Sequence, residues 1–507
     1  MTAGKTGTHV LAIDQGTTGS TAIVLDSDAN VTGRGYAEFP QHYPRPGWVE
    51  HDPMDILRVS VQVAEQALVE AGLAATELAA VGVTNQRETT VLWDRASGEP
   101  VANAIVWQDR RTAAMCTALR ERGLAETVKR KTGLVIDAYF SGTKIAWLLD
   151  SVEGLRKRAA AGEIAFGTVD SWLTYQLTGG RVHATDVTNA SRTMIYNLAE
   201  GRWDDELLAE LDIPPELLPE VRPSAYRYGD TDPNAFLGAA VPVAGLVGDQ
   251  QAALFAQGCF SAGQSKNTYG TGSFVLMNTA TEPFTEQDRL ITTVAVGVEG
   301  EPTQYALEGP MFTTGSAVQW LRDGLGIISD AAETEALATS IDGNDDVYFV
   351  PALAGLGAPE WDPYARGTLL GLTRGTTKAH VARAVLESIA YSTRDVVAAM
   401  EAESGHRLPE LRVDGGACAN GFLMQFQADI LGVPVDVPEN IQSTALGSAY
   451  LAGLATGFWP DRQELAAKRR TARRYEPTMP DSQRETLHAR WRDAVERGLR
   501  WARESEK

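Results

Sequence analysis

Short apolar runs, separated by polar turns rich in glycine, alternate along this chain with longer stretches of helical periodicity. The first stretch is LAIDQGTTGSTAIVLD, from Leu11 to Asp26. LAI and TAIVL are β-branched and short enough to be strands, and GTTG is short enough to join them as a hairpin. HDPMDILRVSVQVAEQALVEAGL is the clearest helix. Asp52 is placed to cap it, Pro53 occupies its first position, and Gly72 stops it, while Ile56, Val59, Val63 and Ala67 form one apolar stripe. AAVGVTNQRETTVLWD then sets two apolar runs around TNQRETT, and NAIVWQDRRT reads as a further strand-like run.

The second half repeats this grammar. After the small-residue stretch GCFSAG, Gly258 to Gly263, comes SKNTYGTGSFVLMN, again a glycine- and hydroxyl-rich turn before an apolar run. TTVAVGVEGEPTQYALEG predicts a hairpin around Glu299 to Pro302. AHVARAVLESIAYSTRDVVAAMEAESG predicts a long amphipathic helix ending near Gly405. LRVDGGACANGFLMQFQADILG reads as strand, glycine-rich turn and helix, and Leu487, Trp491, Val495 and Leu499 mark a final packing helix. Alternating strands and helices predict an α/β fold. The repeated opening turn suggests a duplicated domain, divided into residues 1–257 and 258–507, with phosphate-facing turns on both sides of a cleft.

Composition narrows the function. At 507 residues the chain exceeds one hydrophobic core. Its 45 Lys and Arg against 66 Asp and Glu leave a net charge of −21, which argues against nucleic acid as a partner. The basic run KRRTARR, Lys468 to Arg474, is expected to be a solvated or ion-paired face. Cys116, Cys259 and Cys418 are sparse and lack metal-ligand spacing, which suggests a reducing compartment. With no secretory signal and no apolar run of bilayer length, a cytoplasmic protein without membrane insertion is expected. GxxxxGK[ST] and the protein-kinase signatures are absent, so any ATP site uses another scaffold.

Several polar groups stand where a fold alone does not require them. A turn such as GTTG offers free backbone N–H groups and hydroxyls to an anion, and Asp14 at its lip could hold Mg²⁺ directly or through water. NQRETT places Arg87 beside Glu88 between two apolar runs. GLVGDQQAALF places Asp249 and Gln250 at a strand end. Trp107, Tyr139 and Phe274 interrupt other polar segments.

Together, DQGTTGS, PGWVEHDP, TNQRETT, NAIVWQDRR, GLVIDAYFSGTK, TNASRTM, GDQQAALF, KNTYGTG, GLGAPEWDPYARG, LESIAYSTRDV, VDGGACAN and TALGSAYLAG resemble the FGGY carbohydrate kinase family, within the sugar kinase, Hsp70 and actin superfamily. NQRETT, GDQQAAL and WDPYARG point within it to the glycerol kinases. The resemblance spans nearly the whole chain and implies two actin-like, ribonuclease H-like domains flanking a nucleotide- and substrate-binding cleft. It implies ATP and Mg²⁺ as cofactors. Thr17, Thr18 and Gly19 would contact phosphates on one side, and Thr271 and Gly272 on the other. Gly315 and Gln319 match further nucleotide positions, and Gly416 and Asn420 the adenosine side. Asp14 and Asp249 would hold the metal. Thr21 belongs to the nucleotide set but stands where many relatives carry Arg, so a cationic phosphate contact does not transfer.

On the substrate side the resemblance assigns glycerol to Arg87, Glu88, Tyr139, Asp249 and Gln250, with Trp107 and Phe274 as apolar walls and Asp249 as the base that accepts the hydroxyl proton. Carboxylates and a guanidinium facing aromatic rings suit a triol, whose hydroxyls lie on one edge and C–H bonds on the other. The family forms dimers and tetramers, so a homodimer or homotetramer is expected. The segment DTDPNAFLGAAVPV, Asp230 to Val243, holds no Arg, Lys or His. The corresponding loop of some relatives binds fructose 1,6-bisphosphate or is phosphorylated on His by the sugar phosphotransferase system, and EPTMPDSQRE departs likewise from the segment that binds a phosphotransferase protein. Both controls are therefore expected to be absent. A pentulose, gluconate or tetritol kinase is the alternative within the family, and an actin-like chaperone or filament ATPase the alternative outside it.

Overall fold

The computed structural model describes residues 7–286 and 288–502. Two mixed sheets dominate it, on either side of residues 257–264. The first runs in the order Ala225–Asp230, Pro242–Gly248, Leu78–Asn85, His9–Gln15, Gly19–Leu25, Val31–Glu38. The second runs Ile291–Val296, Gln304–Met311, Ser273–Asn278, Ser265–Tyr269, Leu411–Gly415, Val435–Pro438, Thr471–Tyr475. The duplication read from the two turns extends to topology. In each sheet a hairpin (His9–Leu25, or Ser265–Asn278) is joined by an antiparallel third strand, while its first strand runs parallel to a distant one.

Local chemistry accounts for most elements. Asp52 accepts the Met54 N–H at 2.8 Å to start the helix Pro53–Ala71, and Gly72, at φ 68°, closes it. Ile56, Val59, Val63 and Ala67 are its buried stripe, as the spacing predicts. The helix Lys378–Ser404 ends at Gly405 in the same left-handed way. Asn420 caps Gly421–Leu431 by accepting the Leu423 N–H. The final helix, Asp481–Gly498, buries Trp491 and Val495, while Leu499 lies just beyond its end. The basic run leads into the edge strand Thr471–Tyr475 and is ion-paired: Arg469, just before the strand, with Asp436, and Arg474 within it with Glu410.

One strand reading is corrected. In NAIVWQDRRT only Ala104–Ile105 is a strand, paired with Glu50–His51. Asp109 turns the chain back on itself: its N–H reaches the Val106 carbonyl, and its carboxylate takes the Val49 N–H at 2.7 Å and Arg111 at 2.8 Å. Those polar demands override the apolar pattern.

The halves interlock through crossed helices. Ser443–Ala455, late in the chain, packs on the first sheet, burying Ala445, Ala449 and Ala452 among Val10, Ala12 and Ile23. Asp249–Ala256, at the end of the first half, packs against it and reaches the second sheet through Leu254, which lies with Leu276 and Ala306. Glycine permits the close crossing. A Cβ on Gly447 would lie 2.0 Å from the Ala252 carbonyl oxygen, and one on Gly82 would lie 2.3 Å from that of Ser448. Alanine is worth about 1 kcal/mol more than glycine in a helix interior, but the obstruction here is backbone and cannot rotate away. Gly447→Ala is therefore expected to destabilise by roughly 1–3 kcal/mol despite the gain in helix propensity. Denaturant unfolding checks this, and equal or higher stability would show that the crossing has slack.

Candidate functional site

The two hairpin turns have matching hydrogen bonding. Gly16 N–H donates to the Gly19 carbonyl at 3.0 Å, and Gly270 N–H to that of Gly272 at 2.8 Å. Among the described residues, the N–H groups of Thr17, Thr18 and Thr271 find no backbone acceptor, so each turn presents free donors to an anion. Thr21 pairs in register with Asp14. Asp14 remains partly open to the cleft and, among the described residues, has neither an ion pair nor a donor to its carboxylate. Burial, with the Asp249 carboxylate nearby, raises its pKa to about 7.

Beside the second turn lies a cavity of about 460 Å³, lined by Thr271, Gly315, Gln319, Gly416 and Asn420. Five of the residues predicted for the nucleotide thus meet in one space. Gly315 seats the turn closely: its N–H donates to the Gly270 carbonyl, and a Cβ on it would lie 2.6 Å from that oxygen. Gly272 packs equally closely on the Met311 carbonyl, where a Cβ would lie at 2.4 Å.

A second group of predicted residues converges where the sheets approach. Arg87 follows the strand Leu78–Asn85, and Glu88 beside it adopts a left-handed φ of 61°, a strained conformation for a non-glycine residue. The bend turns both side chains into a buried charge cluster. Arg87 Nη1 and Nη2 grip Glu308 at 2.6 and 3.1 Å, and its Nε meets Asp249 Oδ1 at 3.1 Å. Arg192 Nε donates to Glu88 at 2.6 Å and its Nη2 to Glu308 at 3.0 Å. Burial alone would raise the Glu308 carboxyl, but the guanidiniums of Arg192 and Arg87 hold it at about 2. Glu88 is raised instead, because burial outweighs the same two cations.

Asp249 differs from its neighbours in exposure. Its side chain is 30% exposed, against 2% for Arg87 and 1% for Glu88. It opens the helix Asp249–Ala256, and among the described residues both of its contacts, with Arg87 and with the Gln250 N–H at 2.7 Å, use Oδ1. Oδ2 is left for another partner. The aromatic residues frame the cluster. Tyr139 lies 5.5 Å from the Arg192 guanidinium and stacks edge-on with Trp107, and Phe274 lies 5.8 Å from that of Arg87. Trp107 also makes a polar contact: its indole N–H donates to Thr17 Oγ1 at 2.9 Å and ties this aromatic frame to the first turn.

Sequence reasoning assigned no role to Arg192, Glu308, Gln251 or Lys266. Gln251 accepts from Arg87 at 3.2 Å, and Lys266 donates to Gln250. TNASRTM and KNTYGTG carried a faint signal, a cation inside a segment otherwise buried; Glu308 in YALEGP carried less.

Residues 9–256 match the N-terminal domain of the FGGY family of carbohydrate kinases, and residues 265–456 its C-terminal domain. The chain is 59% identical over 493 residues to the glycerol kinase of Carboxydothermus hydrogenoformans, covering 97% of this chain and 98% of that one. It is 57% identical to that of Deinococcus radiodurans, with 98% and 99% covered. The crystal structure of Plasmodium falciparum glycerol kinase with ADP superposes with a TM-score of 0.91 at 33% identity, over 97% and 98% of the two chains. Gluconate kinase from Lactobacillus acidophilus shares the fold, with a TM-score of 0.85 at 22% identity. By both domain matches and by near-full-length identity, the chain belongs to the FGGY family of carbohydrate kinases.

Proposed function

We infer that this enzyme transfers the γ-phosphoryl group of ATP to glycerol, giving sn-glycerol 3-phosphate and ADP. The observation that carries the reading is the contact cluster of Arg87, Glu88 and Asp249, in which, among the described residues, nothing takes Asp249 Oδ2 at the open edge. The near-full-length relatives named glycerol kinases support it. Arg87, Glu88, Tyr139 and Gln250 bind the hydroxyls, and Trp107 and Phe274 cover the carbon edge. Asp249 accepts the hydroxyl proton as the alcohol oxygen attacks the γ-phosphorus and ADP leaves. The donor-rich turns at Thr17–Gly19 and Thr271–Gly272 steady the phosphates, with Thr21 beside Asp14, and the cavity at Gly315, Gln319, Gly416 and Asn420 takes the nucleoside.

The donors present suit Mg²⁺. Among the described residues there is no cluster of three or more metal-ligating side chains, but Mg²⁺ uses one or two carboxylates together with substrate phosphates and water. Asp14 and Asp249 would supply those carboxylates, and the bound ion would neutralise phosphate charge. The three cysteines are buried and free, and no helix among the described residues is long and apolar enough to cross a membrane. We place the enzyme in the cytoplasm as a homodimer or homotetramer, without nucleic-acid or membrane partners.

The direct test is ADP release with and without glycerol. Release that depends on glycerol supports the proposal, and glycerol-independent turnover points to an actin-like ATPase instead. A substrate panel including a pentulose, gluconate and erythritol separates the remaining family activities. Asp249→Asn keeps the shape but cannot accept the proton, so turnover should fall by at least about 10²-fold while glycerol binding changes far less. Arg87→Ala should raise the glycerol KM strongly. It also strips a buried partner from Glu308, so a stability loss of roughly 3–5 kcal/mol should accompany it in unfolding measurements.

The Asp14 carboxyl gives a signed pH dependence. Its folded pKa of about 7 lies above its ordinary value of 3.8. Between those values the folded state retains a proton that the unfolded state has released, so this group's contribution to stability declines as pH rises from about 4 to about 7. Metal-free Asp14→Asn should lose that decline and be the more stable protein, relative to the parent, at pH 8 than at pH 4. An equal difference at both pH values would place Asp14 in a less perturbing environment.

The enzyme is also proposed to ignore fructose 1,6-bisphosphate and phosphotransferase control. Cations do approach the segment 230–243, but they are already neutralised: Arg181 pairs with Asp232 at 2.8 Å, and Arg227 with Asp230 at 2.8 Å. Activity titrated with the bisphosphate at several enzyme concentrations should stay flat, whereas inhibition that grew with enzyme concentration would reveal a site completed by a second subunit.

A further inference from the structure

Lys266 is the second residue of the strand Ser265–Tyr269, fully buried and without a carboxylate in contact among the described residues. Its ammonium instead meets three neutral acceptors. They are Gln250 Oε1 at 2.5 Å, Thr268 Oγ1 at 2.8 Å and the Phe274 carbonyl at 3.3 Å. Burial lowers its pKa to about 8 against the opposing pull of Asp414 and Asp249. A buried charge without a contacting counter-ion is costly, and this one joins two residues of the alcohol site from opposite halves. Gln250 belongs to the helix Asp249–Ala256, and Phe274 to the strand Ser273–Asn278.

The chemistry of the contact fixes a direction. An ammonium has donors only, so Gln250 must offer it the carbonyl end of the amide. The Nε2 group then points elsewhere, and among the described residues no protein acceptor takes it. A free amide turns over easily and presents either end to a ligand. Gln250 cannot do so while Lys266 holds its oxygen. A substrate hydroxyl that donates to a carboxylate then finds a fixed N–H donor for its own oxygen.

We propose that Lys266 is a positioning residue that locks Gln250 with its Nε2 toward the alcohol, and so selects the full triol over analogues that lack one hydroxyl. The proposal rests on the reading of Gln250 as a glycerol contact. A site built to pair a hydroxyl rejects the deoxy analogue strongly, because its own polar groups are then left unpaired. If the amide can turn over, that penalty shrinks.

The test uses the full-length enzyme, saturating ATP and Mg²⁺, and three acceptors: glycerol, 1,2-propanediol and 1,3-propanediol. The variants are Lys266→Met, Gln250→Ala and the double variant, with ADP affinity measured by calorimetry as the check that the nucleotide cavity is intact. Lys266→Met is expected to raise the glycerol KM by about 10-fold or more with a smaller change in kcat, and to shrink the preference for glycerol over at least one propanediol by about 10-fold. In the Gln250→Ala background it should add less than about 2-fold, since its target is gone. Lys266→Gln, which can accept as well as donate, should lose the same discrimination and serves if the methionine variant does not fold. An equal fall in kcat/KM for all three alcohols would overturn the proposal, as would effects that simply multiply in the double variant. If Gln250→Ala alone leaves glycerol kinetics unchanged, the reading of Gln250 as a contact fails first and takes the proposal with it.

Discussion

The Glu308 carboxylate, held by Arg87 and Arg192, is the interaction on which the arrangement of this enzyme turns. It comes from the second sheet, while both arginines come from the first half of the chain. All three are almost fully buried. A carboxylate alone in such a place would be neutralised or expelled, and two guanidiniums without it would repel one another. With Glu88 added, two cations face two anions, each carboxylate accepts short hydrogen bonds, and the group becomes tolerable as a unit. Removing any one member leaves a buried charge unmatched. The approach of the halves and the placing of Arg87 against Asp249 are therefore a single constraint.

The crossed helices transmit that constraint. Asp249 starts a helix that packs on Ser443–Ala455, which lies against the first sheet, so the proposed base is fixed by elements from both ends of the chain. The short helix Val187–Ala190 adds a further tie: Thr188 Oγ1 accepts the Gly248 N–H at 2.8 Å, and Asn189 exchanges hydrogen bonds with Asn85. The strand ends that deliver Asp249 and Arg87 are thereby held to the same small element. The strain of Glu88 at φ 61° is sustained by the Arg192 clamp and by Ser141, whose hydroxyl donates to the Glu88 carbonyl.

What was legible in the sequence follows the range of the interactions. The first hairpin, the capped helix Pro53–Ala71 and the turn before Asn420 are encoded within a few residues, and they read correctly. The charged exceptions to an apolar pattern, Arg87 beside Glu88 and Asp249 at a strand end, also announce themselves. Glu308 does not, because its partner Arg87 stands 221 positions away and its own neighbours form an ordinary strand. Lys266 is hidden in the same way, a single cation in a buried strand whose meaning depends on Gln250 in another half. The failed strand at NAIVWQDRRT has the opposite cause. There a local apolar pattern lost to Asp109, whose carboxylate reaches Val49, 60 positions back.

The distribution of charge across the cleft separates the two ligands by mechanism. Arg87, Arg192 and Lys266 are buried on the side proposed for the alcohol, bonded to Glu308, Glu88, Asp249 or Gln250. On the nucleotide side the turns offer backbone N–H groups and threonine hydroxyls, Thr21 brings no charge, and Arg322 at the cavity wall is paired with Asp323 at 2.7 Å. A protein of net charge −21 that meets phosphates with neutral donors gains little from a bare nucleotide tetra-anion. Such a site would favour a nucleotide whose charge is already reduced by a divalent ion. Asp14, with a pKa of about 7 and no cation in contact among the described residues, would suit that arrangement on the proposed reading: an ion that stabilised its carboxylate would be the one accompanying the phosphates. On the same reading the arginines would do what a metal ion cannot, which is to define by geometry which hydroxyl of a small, flexible alcohol faces Asp249 Oδ2.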